Sequence, residues 1–179
     1  MFFAPLYCFR FVNFKCLNKG GYVSSLLFDL LDNANFLEGC HWKRLQLAAN
    51  QTVFSEGDTG SEVYLVLNGD LRVLGKVDLD DQRKIQPGFG EMTAGDVFGE
   101  LVLFDDLPRS ATVVTLTDVE LAVLDGDELM RFLDEHPDLG YQIMRGIIST
   151  LVVRLRKANQ RIFSLFAWGL KSKGIDSYL

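Results

Sequence analysis

Between Gln51 and Asp125 short apolar runs alternate with turn signals, and no other feature of the 179-residue chain restricts its fold as tightly. The breaks are Gly57-Asp58, Asn68-Gly69-Asp70, Asp80-Asp81, Pro87-Gly88, Gly95-Asp96 and Asp105-Asp106. Runs this short suit strands better than amphipathic helices. Residues 63–67 and 71–74 flank Asn68-Gly69-Asp70, a hairpin signature, and 111–116 with 119–124 read as a second pair turning at Thr117-Asp118. Six to eight such strands predict a closed or sandwiched all-β body.

Outside that body the period is helical. Over 24–49 the spacing of Leu27, Leu30, Leu31, Phe36, Leu37, Trp42, Leu45 and Leu47 predicts two or three short helices, with Ser24 or Ser25 capping the first. Residues 127–135 read as a short helix, and Pro137 opens a longer one that runs to about Arg161. Along it Ile143, Ile147, Leu151 and Leu155 form one i,i+4 stripe, and Met144, Ile148 and Val152 form another. Two stripes make a face wide enough to pack on the β-body and on a second copy in a homodimer. Three segments follow: an aromatic, acid-free arm over 1–23, disordered or from a start placed too far upstream; a domain over 24–161; and a hydrophobic tail over 162–179.

Composition narrows the function classes. With 48% hydrophobic and 23% charged residues a packed core forms and wholesale disorder is excluded. The longest uncharged apolar run, residues 162–170, is nine residues, too short to span a bilayer, and the arm lacks the order of a secretory signal. Cys8, Cys16 and Cys40 have neither disulfide-framework nor zinc spacing, so a reduced, cytoplasmic chain is expected. His41 and His136 stand alone, leaving metal catalysis little to work with, and no metal or cofactor is expected. The net charge of −6 is segregated: residues 29–138 carry 23 acids against 8 bases, whereas 139–179 carry 7 bases and one acid. An acidic body disfavours nucleic acid as a partner, and neither DNA nor a membrane is expected.

The chemistry gathers in one stretch. Between Ile85 and Met130 ten acids surround a single base, Arg109. Gly95 and Gly99 permit unusual backbone angles, and Glu100-Leu101-Val102-Leu103 can make one helical turn whose first N–H groups face an anion. Arg109 follows just before a strand, beside the hydroxyl of Ser110 and the methyl of Ala111. Such a set suits a singly charged phosphate on a sugar, with Glu100 accepting from a sugar hydroxyl. An ordinary connection with Arg109 paired to Asp105 or Asp106 fits the same residues.

Phe98-Gly99-Glu100-Leu101 followed by Arg109-Ser110-Ala111 resembles the phosphate-binding cassette of the cyclic nucleotide-binding domain shared by bacterial catabolite-activator proteins, protein kinase A regulatory subunits and cyclic nucleotide-gated channels. Val53-Phe54 with Gly57-Asp58, Tyr64-Leu65-Val66 with Gly69-Asp70-Leu71, Ala122-Val123-Leu124-Asp125, His136-Pro137 and Arg154-Leu155-Arg156 extend the resemblance over about 24–161. It implies a mainly β fold with flanking helices, a jelly-roll-like β-roll closed by a long C-terminal helix. It implies that Glu100 accepts from the ribose 2′-hydroxyl and that Arg109 neutralises the cyclic phosphate. Ser110 and the backbone amides of Gly99 to Leu101 would join Arg109, and Ala111 would leave room for the phosphate. Two departures stand out. Only about 18 residues follow Arg161, too few for the helix-turn-helix of the catabolite activators. Where those relatives contact adenine with Thr-Ser, gap-free counting gives Arg154-Leu155, the candidate base contacts. In the tail, Phe163, Phe166 or Trp168 could close over the base, or simply pack. The resulting expectation is a non-enzymatic regulatory module that binds a cyclic mononucleotide, cyclic AMP ahead of cyclic GMP, and moves its C-terminal helix against an unidentified effector protein. A β-roll that has lost its nucleotide and serves dimerisation or scaffolding is the rival reading.

Overall fold

The computed structural model describes residues 21–80, 83–85 and 88–172. Most of the N-terminal arm, and the tail beyond 172, lie outside the described residues. Helix α1 (Gly21–Leu31) leads into ten strands: β1 (Trp42–Leu47), β2 (Thr52–Phe54), β3 (Glu62–Asn68), β4 (Leu71–Leu74), β5 (Val77–Asp80), β6 (Arg83–Ile85), β7 (Gly88–Met92), β8 (Val97–Phe98), β9 (Thr112–Thr115) and β10 (Val119–Asp125). A 3-10 turn (Glu100–Leu103) interrupts them, and α2 (Gly126–Glu135) and α3 (Pro137–Ser172) close the chain. The strands form two antiparallel sheets, β1-β10-β3-β8 and β2-β9-β4-β7, with β5-β6 as a separate ribbon. This is the expected β-roll with flanking helices.

Strand β3 explains why the roll has two cores. Its run Val63-Tyr64-Leu65-Val66 is apolar without a break because both faces are buried. Val63 and Leu65 turn towards α1, α2 and α3, where they meet Leu27, Leu30, Leu129 and Ile143. Tyr64 and Val66 turn into the roll, onto Leu71, Phe98 and Val113. Strand β10 divides in the same way, with Ala122 and Leu124 on the helical side and Leu121 and Val123 inside the roll. Helix α2 begins at Asp125, whose carboxylate accepts from the Glu128 amide at 3.0 Å.

Several local expectations change in three dimensions. The segments on either side of Asn68-Gly69-Asp70 are not partners: β3 pairs with β10 and β8, whereas β4 pairs with β9 and β7. The turn, with Gly69 at φ 88, therefore carries the chain from one sheet to the other. Strands β9 and β10 likewise belong to different sheets. Residues 42–47, expected as helix, are β1, whose Leu45 and Leu47 alternate at a strand period and pack on the roll's inner core. Helix α1 starts at Gly21, so Ser24 lies within it, and its hydroxyl bonds the Gly95 carbonyl instead of capping. Helix α3 runs past Arg161 to Ser172 without interruption. Among the described residues no helix is long and apolar enough to cross a membrane.

Leu65 and Leu121 are fully buried, one in each core. Replacing either with alanine should cost about 2–5 kcal/mol, read as a lower midpoint in chemical denaturation.

Candidate functional site

The cassette hangs from β3. Strand β8 pairs with it at Tyr64↔Phe98 and Leu65↔Val97, after which Gly99 turns the chain at φ 74 into the 3-10 turn. Only glycine fits here: a Cβ would stand 2.9 Å from Arg109 Nη1 and 3.0 Å from the Glu62 carbonyl oxygen. The 3-10 turn buries Glu100, and the chain returns through 104–111 to β9. The backbone on either side of Arg109 is tied to the loop before β3. Its amide donates to the Asp58 carbonyl at 2.8 Å, and its own carbonyl accepts from Gly57 N–H at 2.9 Å.

The Arg109 side chain is 4% exposed. Nη2 donates to Glu62 Oε2 at 3.1 Å, and Nη1 donates to the Gly99 carbonyl at 3.3 Å. Its guanidinium carbon lies 4.6 Å from the Phe54 ring centre and 5.7 Å from that of Tyr64, so aromatic faces complete the cation's surroundings. The ring of Phe98 stacks on Tyr64 at 4.9 Å inside the roll, which makes Phe98 a core residue supporting the site from behind. Burial pushes the Tyr64 phenol pKa up, Glu62 adds to the rise, and Arg109 opposes it.

Across the cleft, α3 supplies the opposite wall. Arg154 Nη1 donates to Glu100 Oε1 at 2.5 Å, and its Nη2 donates to the Val97 carbonyl. Seven residues on, the same helix side presents Arg161, which donates to the Phe89 carbonyl on β7. The cleft between holds about 530 Å³; Glu100, Leu101 and Ser110 line one side, and Leu151, Leu155 and Ala158 of α3 the other.

The fold thus brings Glu100, Leu101, Ser110, Arg154 and Leu155 to one cleft, with Arg109 beside it and Ala111 half-buried at the start of β9. Arg109 pairs with neither Asp105 nor Asp106 in its recorded ion pair; the partner is Glu62. Arg154 lies against Glu100, so its guanidinium meets the carboxylate for which the resemblance implies a ribose contact. Phe163, Phe166 and Trp168 are exposed on α3 and do not line the cleft. Sequence reasoning missed Glu62, Phe54, Leu151 and Ala158. One signal for Glu62 existed, an acid at the head of an otherwise apolar strand, but nothing local ties it to residue 109.

The family model described as cyclic nucleotide-binding domain matches residues 44–136. A CRP-like cAMP-activated global transcriptional regulator of Mycobacterium tuberculosis is 31% identical over 114 residues, 64% of this chain and 47% of that protein. A cAMP-dependent protein kinase regulatory subunit of Aspergillus niger is 33% identical over 95 residues, 53% of this chain and 21% of that protein. The chain therefore spans less than half the length of either relative. The solved cyclic nucleotide-binding domain from Methylobacillus flagellatus superposes with a TM-score of 0.63 at 23% identity, covering 81% of this chain and 84% of that one, and shares the fold.

Two expectations follow from the geometry. Arg154→Ala leaves a buried carboxylate without its partner and should cost about 1–3 kcal/mol in a denaturation experiment. Adding Glu100→Gln should recover part of that loss. The Tyr64 phenol holds its proton more tightly folded than unfolded, so its contribution is intact below about pH 10 and is lost as pH rises through the folded value. Tyr64→Phe should flatten the alkaline fall in melting temperature.

Proposed function

The chain belongs to the cyclic nucleotide-binding domain family, and on that premise we propose that it is a regulatory module whose cleft takes cyclic AMP ahead of cyclic GMP and whose α3 responds to the ligand. The carrying observation is two buried groups of opposite charge in the cassette: Glu100, 4% exposed, lines the cleft, and Arg109, 6% exposed, lies beside it. A phosphate alone would need only the arginine; a carboxylate beside it suits a ligand that also offers a hydroxyl donor. The Mycobacterium tuberculosis and Aspergillus niger relatives are both named for cAMP, which supports the order of the two nucleotides.

In this reading the Arg109 guanidinium and the Ser110 hydroxyl hold the cyclic phosphate, and Glu100 accepts from the ribose 2′-hydroxyl. Glu100 already accepts from Arg154, so a ribose hydroxyl must share or displace that bond. Displacement frees an arginine of α3 from the cassette, leaving Arg154 and Leu155 available to the base. Helix and ligand then compete for one carboxylate, and α3 moves only as far as their difference in affinity drives it. The reading is regulatory, without a catalytic step.

An exposed stripe of α3, whose first three positions also line the cleft, supports a second copy as partner. Ile148, Val152, Leu155, Asn159, Ile162 and Phe166 recur at alternating steps of four and three, and all are exposed. That spacing is the seam of paired helices. An unidentified effector protein completes the regulatory reading. One observation favours the rival scaffold. Both charges have ion-pair partners within the chain, so their placement does not by itself call for a ligand.

Calorimetric titration with cyclic AMP and cyclic GMP tests the reading. Binding that Arg109→Ala weakens at least tenfold, about 1.4 kcal/mol, is expected. Absence of heat and of any melting shift with either nucleotide would favour the scaffold. Ile162→Asp, in the part of the stripe that does not line the cleft, should halve the mass seen in sedimentation by placing a charge in the seam.

A further inference from the structure

The cation that would receive the phosphate has a carboxylate partner of its own. Glu62 Oε2 lies 3.1 Å from Arg109 Nη2, and while the arginine side chain is 4% exposed, that of Glu62 is 42% exposed. The carboxylate thus reaches from the buried guanidinium to the solvent side. Gly60 leaves room for it, since a Cβ at residue 60 would come 2.6 Å from Glu62 Oε2. Glu100 puts a second carboxylate on the cleft, matched by Arg154.

The four groups sum to zero charge. A singly charged phosphate bound to Arg109 leaves the cluster at one net negative charge, and a doubly charged one leaves it at two. Within the body, residues 29–138 carry 23 acids against 8 bases, so relief for an added charge would have to come from the bases of α3 on the opposite wall. An oxygen sharing the guanidinium fork with Glu62 sits within about 6 Å of that carboxylate, close enough for a second ligand charge to be repelled even where solvent screens part of the field.

We propose that Glu62 is a specificity-determining residue: by occupying half of the Arg109 fork, it admits singly charged cyclic phosphodiesters and rejects the doubly charged phosphate of linear nucleoside monophosphates. The proposal rests on the cyclic nucleotide reading of the cleft. A monoester has a second ionisation near pH 6 and is mostly a dianion at neutral pH, whereas a cyclic diester keeps one charge. The two ligands therefore differ in the property Glu62 senses. A role confined to orienting Arg109 would affect both equally, because both need the arginine.

The test is competition of cyclic AMP and 5′-AMP against a fluorescent cyclic nucleotide on the full chain, comparing wild type, Glu62→Gln and Glu62→Asp at pH 7.5. Glu62→Gln is expected to cut the preference for cyclic AMP over 5′-AMP by about tenfold or more, chiefly through tighter 5′-AMP binding. Glu62→Asp should keep most of the preference. Equal changes in both affinities, or an unmoved ratio, would overturn the role of Glu62 while leaving the cyclic nucleotide reading intact. Wild type that binds neither compound would overturn both. Melting curves identify a variant that fails to fold, and the ratio is then read from the other.

Discussion

Strands β3 and β10 are apolar on both faces, and the remaining structure is arranged to cover them. A strand with one wet face needs one cover; these two need two. The second sheet closes over Tyr64, Val66, Leu121 and Val123, while α1, α2 and α3 close over Val63, Leu65, Ala122 and Leu124. The helices are therefore part of the core, which couples the cleft wall formed by α3 to the strand from which the cassette hangs. Ile143 and Ile147 anchor the first turns of α3 in that core, and beyond them the helix contacts the roll through Arg154 and Arg161.

Two ion pairs meet at the cleft, each joining a buried group to a partly exposed one. Arg109–Glu62 sits on the deep side, where a guanidinium removed from water must keep donors and aromatic faces satisfied. Arg154–Glu100 joins a buried carboxylate to an arginine that is 39% exposed, so the group left in need when the pair breaks is the carboxylate. The second pair ties α3 to the cassette.

The parts of the site that were legible in the sequence are those built from neighbours. Gly99 adopts the left-handed conformation that its place before the 3-10 turn demands, Glu100 to Leu103 make the expected turn, and Asp125 caps α2. The pairing of 63–67 with 71–74 was misjudged because Asn-Gly-Asp reports only that the chain reverses. Whether the reversal stays within a sheet or crosses between sheets depends on which faces are apolar, and β3 is apolar on both. Residues 42–47 were read as helix because the leucines of 27–47 satisfy several spacings at once. Pairing with β10 over Trp42↔Leu124 to Leu47↔Val119 decides for a strand.

The sequence by itself determined the chemical inventory of the cleft: one arginine amid acids, a glutamate in a glycine-led turn, and a hydroxyl beside the arginine. These lie within a dozen residues, where covalent connection and turn preferences limit the possible arrangements. Only the tertiary structure decided the partners of the two charged groups. Glu62 reaches Arg109 across 47 residues, and Arg154 reaches Glu100 across 54. No local propensity encodes those meetings. They arise because β8 pairs with β3 and because α3 packs across the outer face of the same sheet, and both follow from burying two apolar faces at once.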